Sequence, residues 1–195
     1  MAALALTAVV ASAAQAAPEF RVATAPAIIK GEQVGTQSFS TVNGNVTCTT
    51  ATFNGTSNVT ATTSQILTPT YEGCNAFGSS ANVTTTGCTY TFALVKSSSP
   101  PTANVNINCE AGKVITVSAL GGCTTTVGSQ NGKSHVVFSN TANSPTDIDA
   151  NVTVEGITYT ASGCIFNGTF NTGKVTGEAT IRAYSGNVQQ NLSVS

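Results

Sequence analysis

In 195 residues the chain carries seven Lys and Arg, eight Asp and Glu and one His, for a net charge of −1. Only 8% of it is charged, against about 25% in typical soluble domains, and its cations are scattered singly, which excludes nucleic acid and an anionic membrane surface as partners. Ser, Thr, Asn, Gln and Gly must cover the surface instead, and so small a net charge does nothing to keep copies apart, so self-association enters the functional readings at the outset.

Ala2 to Ala14 are apolar or small and free of charge, and Ala14-Gln15-Ala16 supplies a small-x-small cleavage signal. The pattern reads as a signal peptide over residues 1–16, leaving 17–195 as a single exported domain. No stretch reaches the roughly 18 to 20 apolar residues that a membrane span requires, and no span is expected.

From there on the hydropathy alternates with period 2 and shows no amphipathic helix. The strands expected in chain order are Thr47–Phe53, Ala81–Thr86, Cys88–Val95, Ala103–Cys109, Lys113–Ala119, His135–Ser139, Ile148–Val154, Ile157–Thr160, Ala179–Tyr184 and Asn187–Val194. Cys88, Tyr90, Phe92 and Leu94 share one face, as do Ile148, Ala150, Val152 and Val154. Hairpin turns are expected at Glu155-Gly156 and at Ser185-Gly186-Asn187. About ten short strands with frequent turn signals predict an all-β fold, an antiparallel β-sandwich or a related barrel.

The six cysteines, an even number in an exported chain, read as three disulfides. No pair has the C-x₂₋₄-C spacing of a zinc site. Thirteen residues separate Cys74 from Cys88, and thirteen separate Cys109 from Cys123. Two local bridges at those intervals would leave Cys48 to pair with Cys164, one connectivity among 15. Ser97-Ser98-Ser99-Pro100-Pro101 is the strongest break, a loop or boundary near 97–102. Three cysteines lie on each side of it, so complete oxidation forces a bridge across it. A single cross-linked domain follows.

Residues suited to chemistry are few, and no catalytic set emerges. His135 follows Ser134 on a strand, where neighbours point to opposite faces, so the two cannot act as base and nucleophile. Glu72, Glu110, Glu155 and Glu178 sit beside glycines or at strand ends, where solvation in turns explains them. Asp147-Ile148-Asp149-Ala150-Asn151 opens like a calcium loop, making Asp147, Asp149 and Asn151 the one metal candidate. Val152 stands where such a loop needs Gly, however, and no Glu closes it. No cofactor is expected. Sequons begin at Asn45, Asn54, Asn58, Asn82, Asn151, Asn167 and Asn191, as a chain rich in Asn and Thr produces by chance. Tyr71 and Tyr159 precede Gly-Cys pairs and read as packing on disulfides.

Tyr71-Glu72-Gly73-Cys74-Asn75-Ala76-Phe77-Gly78, Gly87-Cys88-Thr89-Tyr90-Thr91-Phe92 and Cys109-Glu110-Ala111-Gly112-Lys113-Val114-Ile115-Thr116-Val117 resemble a group of uncharacterised small secreted all-β proteins of soil actinobacteria, over roughly residues 35 to 195. The resemblance implies a bacterial exported location and unglycosylated sequons, and carries no activity. The expected function is therefore that of a secreted or cell-surface module without enzymatic activity, working by protein or glycan contact or by self-association. A small secreted hydrolase and an ice or ordered-surface binder are the alternatives. The Thr-x-Thr pieces lack the fixed repeat that the last requires.

Overall fold

The computed structural model describes residues 17–95 and 99–195. The expected signal peptide and two residues of the Ser-Pro break, Ser97 and Ser98, lie outside them. The strands are β1 (Phe20–Val22), β2 (Ala27–Thr41), β3 (Gly44–Ser57), β4 (Ala61–Thr62), β5 (Ser64–Ala76), β6 (Ser79–Thr84), β7 (Cys88–Leu94) and β8 (Thr102–Cys109). They continue as β9 (Ile115–Ala119), β10 (Thr124–Val127), β11 (Gln130–Asn140), β12 (Asp147–Ser162), β13 (Gly168–Ser185), β14 (Val188–Gln190) and β15 (Leu192–Val194). There is no helix among the described residues.

All neighbours in the large sheet are antiparallel, and the sheet closes on itself as an eight-strand barrel with extra strands. Five of the eight wall strands form the run of long strands β12-β13-β2-β3-β5. The rest of the wall splits into two short layers. Near one end, β7-β8-β11 join the start of β5 (Ser64 to Leu67) to the start of β12. Near the other, β6-β9-β10 join the end of β5 (Cys74 to Ala76) to the end of β12. Closure removes the long free edges that a sandwich would carry. The barrel is thus the form the all-β pattern takes.

Period-2 alternation sorts the side chains as the pleat dictates. Val105, Ile107, Val136, Phe138, Ile148, Ala150, Val154 and Ile181 point inward and are buried. The outward positions are mostly Thr, Ser, Asn, Glu and Lys, the reverse of a lipid-facing barrel, whose outer band is apolar. No helix of the described residues is long and apolar enough to cross a membrane. One barrel mouth is capped by the small sheet β15-β1-β4, whose Phe20, Val22, Leu192 and Val194 are buried. Phe20 meets Phe138 edge to face at 5.0 Å.

Two expectations are corrected here. Glu155-Gly156 is not a hairpin: β12 runs straight through it, still paired to β13, with the register shifting between Val154 and Ile157. Gly156 at φ 68° absorbs the extra residue as a bulge, because both flanking runs keep the same partner strand. The cysteines pair as Cys48–Cys74, Cys88–Cys109 and Cys123–Cys164, and not Cys74 with Cys88, Cys109 with Cys123 and Cys48 with Cys164. Strand register decides this. Cys48 on β3 lies directly opposite Cys74 on β5, and Cys88 on β7 opposite Cys109 on β8. Strand β6 occupies the interval between Cys74 and Cys88, so that interval does not close a hairpin. Cys88–Cys109 is the bridge that spans the Pro100-Pro101 break.

Candidate functional site

Two features of this barrel set apolar side chains against space that the chain does not fill. One is the lumen, the other the uncapped end.

Inside the barrel are two neighbouring cavities of about 80 Å³ each. The upper is lined by Phe39, Val46, Val83, Ile115, Val117 and Val127, the lower by Phe53, Leu67, Phe92, Val105, Phe138 and Ala150. Gln37, Tyr71, Tyr90, Ile107, Ile157 and Val175 line both, so the cavities meet at a waist. The waist lies where the two short wall layers abut, since Ile107 is near the end of β8 and Ile115 begins β9.

Gln37 is 7% exposed, and its Nε2 is buried without a hydrogen-bond partner. An unpaired amide of this kind costs about 1 to 3 kcal/mol, so its position needs a reason. Gly35 adopts φ 70° just before it, and β2 gains one residue on β3 between Glu32 and Gln37, which sets Gln37 opposite Cys48. On the other side, a β-carbon at residue 177 would stand 2.5 Å from Gln37 Cγ. Gly177 is what lets the Gln37 stem lie against β13. Beside it, the Tyr71 and Tyr90 hydroxyls hydrogen-bond each other at 3.2 Å. Both side chains line the two cavities. Burial holds the Tyr71 phenol well above its ordinary value, with Tyr90 adding to the effect; burial raises Tyr90 too, partly offset by the bond from Tyr71.

At the uncapped end, the turns β2–β3, β5–β6, β9–β10 and β12–β13 form a closed ring of contacts. Asn43 Nδ2 donates to the Phe166 carbonyl at 2.9 Å, and Phe166 N–H donates to Asn43 Oδ1 at 2.8 Å. Cys123–Cys164 ties the third turn to the fourth. Leu120 N–H donates to Ser80 O at 3.0 Å, and Phe77 N–H to Asn45 O at 3.2 Å, completing the circuit. Each turn carries a large apolar residue near its tip and no charged one: Val42, Phe77, Leu120, and Ile165 with Phe166. Leu120 is 73% exposed, Ile165 86% and Phe166 56%.

Of the residues singled out in the sequence, Tyr71 lines the lumen and Cys123 and Cys164 lie in the turn ring, while the metal, carboxylate and His candidates fall elsewhere. Asp147, Asp149 and Asn151 do share the outer face of β12, but each has its own partners. Asp149 accepts from Thr141 and Thr180, Asp147 accepts from Gln189 and lies 3.4 Å from Arg182 Nε, and Asn151 donates to Glu178. No three His, Cys, Asp or Glu side chains among the described residues are grouped to hold a metal. Glu155 is exposed and paired with Lys174 at 2.7 Å, a bond that holds its carboxyl below the usual range. Glu110 begins the β8–β9 turn, Glu72 is exposed on β5, and His135 is exposed on the outer wall beside Ser134. Tyr159, read as packing on a disulfide, accepts the Val42 N–H at 2.7 Å and packs edge-on to Phe39.

Gln37 and the turn tips escaped the sequence reading. The tips did leave a signal: Val42-Asn43-Gly44, Phe77-Gly78, Leu120-Gly121 and Ile165-Phe166-Asn167-Gly168 each set a large apolar residue within two positions of a turn glycine. No family model, curated protein or solved structure matches the chain.

Proposed function

We propose that the chain is an exported extracellular module without enzymatic activity, and that it works by contact with another protein surface, a second copy included, through the ring of turns. One observation carries this reading. Leu120, Ile165 and Phe166, on tips locked together by Cys123–Cys164 and the Asn43–Phe166 bonds, present an uncharged apolar end to solvent. Clustered exposed apolar side chains on a rigid frame are the usual mark of an interaction site. Closure removes the long strand edges of the wall, so only the short strands β14, β15 and β4 keep a free edge through which another chain could pair. Three disulfides fit an oxidising compartment, as an exported protein requires.

Sedimentation velocity over a hundredfold concentration range tests the self-contact form. The wild type is expected to shift to a larger species as concentration rises, and the double variant Ile165→Ser, Phe166→Ser to stay monomeric. A wild type that is monomeric throughout removes self-association and leaves contact with a different protein, to be sought by cross-linking from cysteines placed at 120 and 165.

A further inference from the structure

We propose that the lower cavity binds a small carboxylate with an apolar ring or short chain, its carboxylate held by Lys133 at a gap in the barrel wall and its apolar part inside the lumen.

Strand register sets Lys133 apart. It lies opposite Val105 of β8, an inward and buried residue, and directly opposed residues share a face of the sheet. On each side of it three residues of β11 stand against two of β8, so a bulge flanks it in both directions. Bulges of this kind re-aim a side chain. Among the described residues that line the two chambers, Lys133 is the one that carries a charge.

The wall beside Lys133 is closed by side chains and not by a strand. The β11 ladder on β12 ends at Val136–Val152 and the β10 ladder begins at Thr126–Thr160, so residues 153–159 of β12 have no strand on that side. Gln130 accepts the Thr158 N–H at 2.9 Å and donates to the Thr158 carbonyl at 3.0 Å, and the Lys133 ammonium donates to the Gly156 carbonyl. Outside the gap is an open groove lined by Lys133, His135, Asn151, Thr153, Glu155 and Gly156. Among the described residues only Lys133 lines both this groove and the lower chamber, which places it between solvent and the lumen.

An ammonium has three donors, and the Gly156 bond takes one. No carboxylate among the described residues pairs with Lys133, because Glu155, on the same groove, is held by Lys174. A half-buried cation without a counter-ion is poorly compensated for the water it has lost. A carboxylate brings the missing charge and two acceptors for the two remaining donors. Phe53, Phe92, Val105, Val136 and Phe138 line the same chamber, so the rest of the ligand is apolar. An apolar cavity of about 150 Å³ admits a single aromatic ring, and two adjoining chambers of about 80 Å³ offer similar room. A long-chain lipid does not fit. This site is independent of the turn ring, so the failure of either proposal leaves the other standing.

The experiment is calorimetric titration of the oxidised protein with phenylacetate, with its neutral isostere phenylacetamide, and with acetate. Phenylacetate is expected to bind about tenfold more tightly than phenylacetamide, the usual worth of a hydrogen bond to a charged group, and acetate not measurably. Lys133→Met keeps the apolar stem and deletes the ammonium, and should bring phenylacetate down to the affinity of phenylacetamide. Proton NMR of the wild type with phenylacetate should show contacts from the ring to the Val105 and Val136 methyls, and decides the matter if Lys133→Met fails to fold. Equal affinity of the wild type for phenylacetate and phenylacetamide overturns the anionic assignment, and acetate binding as tightly as phenylacetate overturns the apolar one. Ring contacts to His135 and Asn151 alone place the probe in the outer groove and overturn the lumen. No binding of any probe means that the lumen holds only water and overturns the site.

Discussion

The two mouths of the barrel face opposite fates with similar material. At the capped mouth, Phe20, Val22, Leu192 and Val194 are carried on β1 and β15, which pair with each other and lie on the core beneath. At the other, Leu120, Ile165 and Phe166 sit on turns that bond to one another but have nothing above them. Both ends are ordered by hydrogen bonds, so order alone does not distinguish them. The first set is buried within the chain, whereas Leu120, Ile165 and Phe166 keep their apolar surface in solvent. The capped mouth therefore accounts for stability, and the open one is free for contact.

The sharpest way to break that comparison is to truncate each end in turn. Phe138, 1% exposed beneath Phe20 and Phe92, should cost about 3 to 5 kcal/mol when changed to Ala, read as a lowered urea midpoint. Replacing Cys88 and Cys109 together by Ala should cost about 3 kcal/mol on the chain-entropy model, since the bridge closes a span of 21 residues. Non-reducing peptide mapping should at the same time show Cys48–Cys74 and Cys123–Cys164 intact.

A smaller effect concerns pH. Tyr71 and Tyr90 titrate above their unfolded value of about 10 because burial favours the neutral phenol. A group whose folded value is raised contributes stability that is complete below the unfolded value and lost as pH climbs through the folded one. Thermal unfolding followed from about pH 8 to 11 should show Tm falling only in the upper part of the range, and a Tyr71→Phe, Tyr90→Phe double variant should fall less. The smallest effect belongs to the open end. Leu120→Ser and Ile165→Ser should each change unfolding free energy by no more than about 0.5 kcal/mol, as exposed sites do. A large loss there would mean that the tips are structural.

Much of the wall was legible in the sequence, because period 2 survives wherever one face is buried. Cys88, Tyr90, Phe92 and Leu94 do share the inward face of β7, and Ile148, Ala150, Val152 and Val154 that of β12. The turn at Ser185-Gly186-Asn187 does join β13 to β14. Strand β2 was missed because Lys30, Glu32 and two glycines interrupt its pattern, and β5 because Pro69 sits within it. Beyond the β13–β14 hairpin, pairing was not legible. The disulfides follow from which strands lie side by side, a long-range property that equal sequence intervals do not encode. The lumen was hidden for the same reason, since Gln37, Tyr71 and Tyr90 come together only when β2, β5 and β7 close around one axis.

The claim that the two mouths differ in role is tested most directly by amide hydrogen exchange at low and high protein concentration. The account predicts that protection rises with concentration at residues 119–123 and 163–167, while residues 20–22 and 192–194 are equally protected at both. Protection that rises at the capped mouth, with the turn ring unchanged, would contradict it.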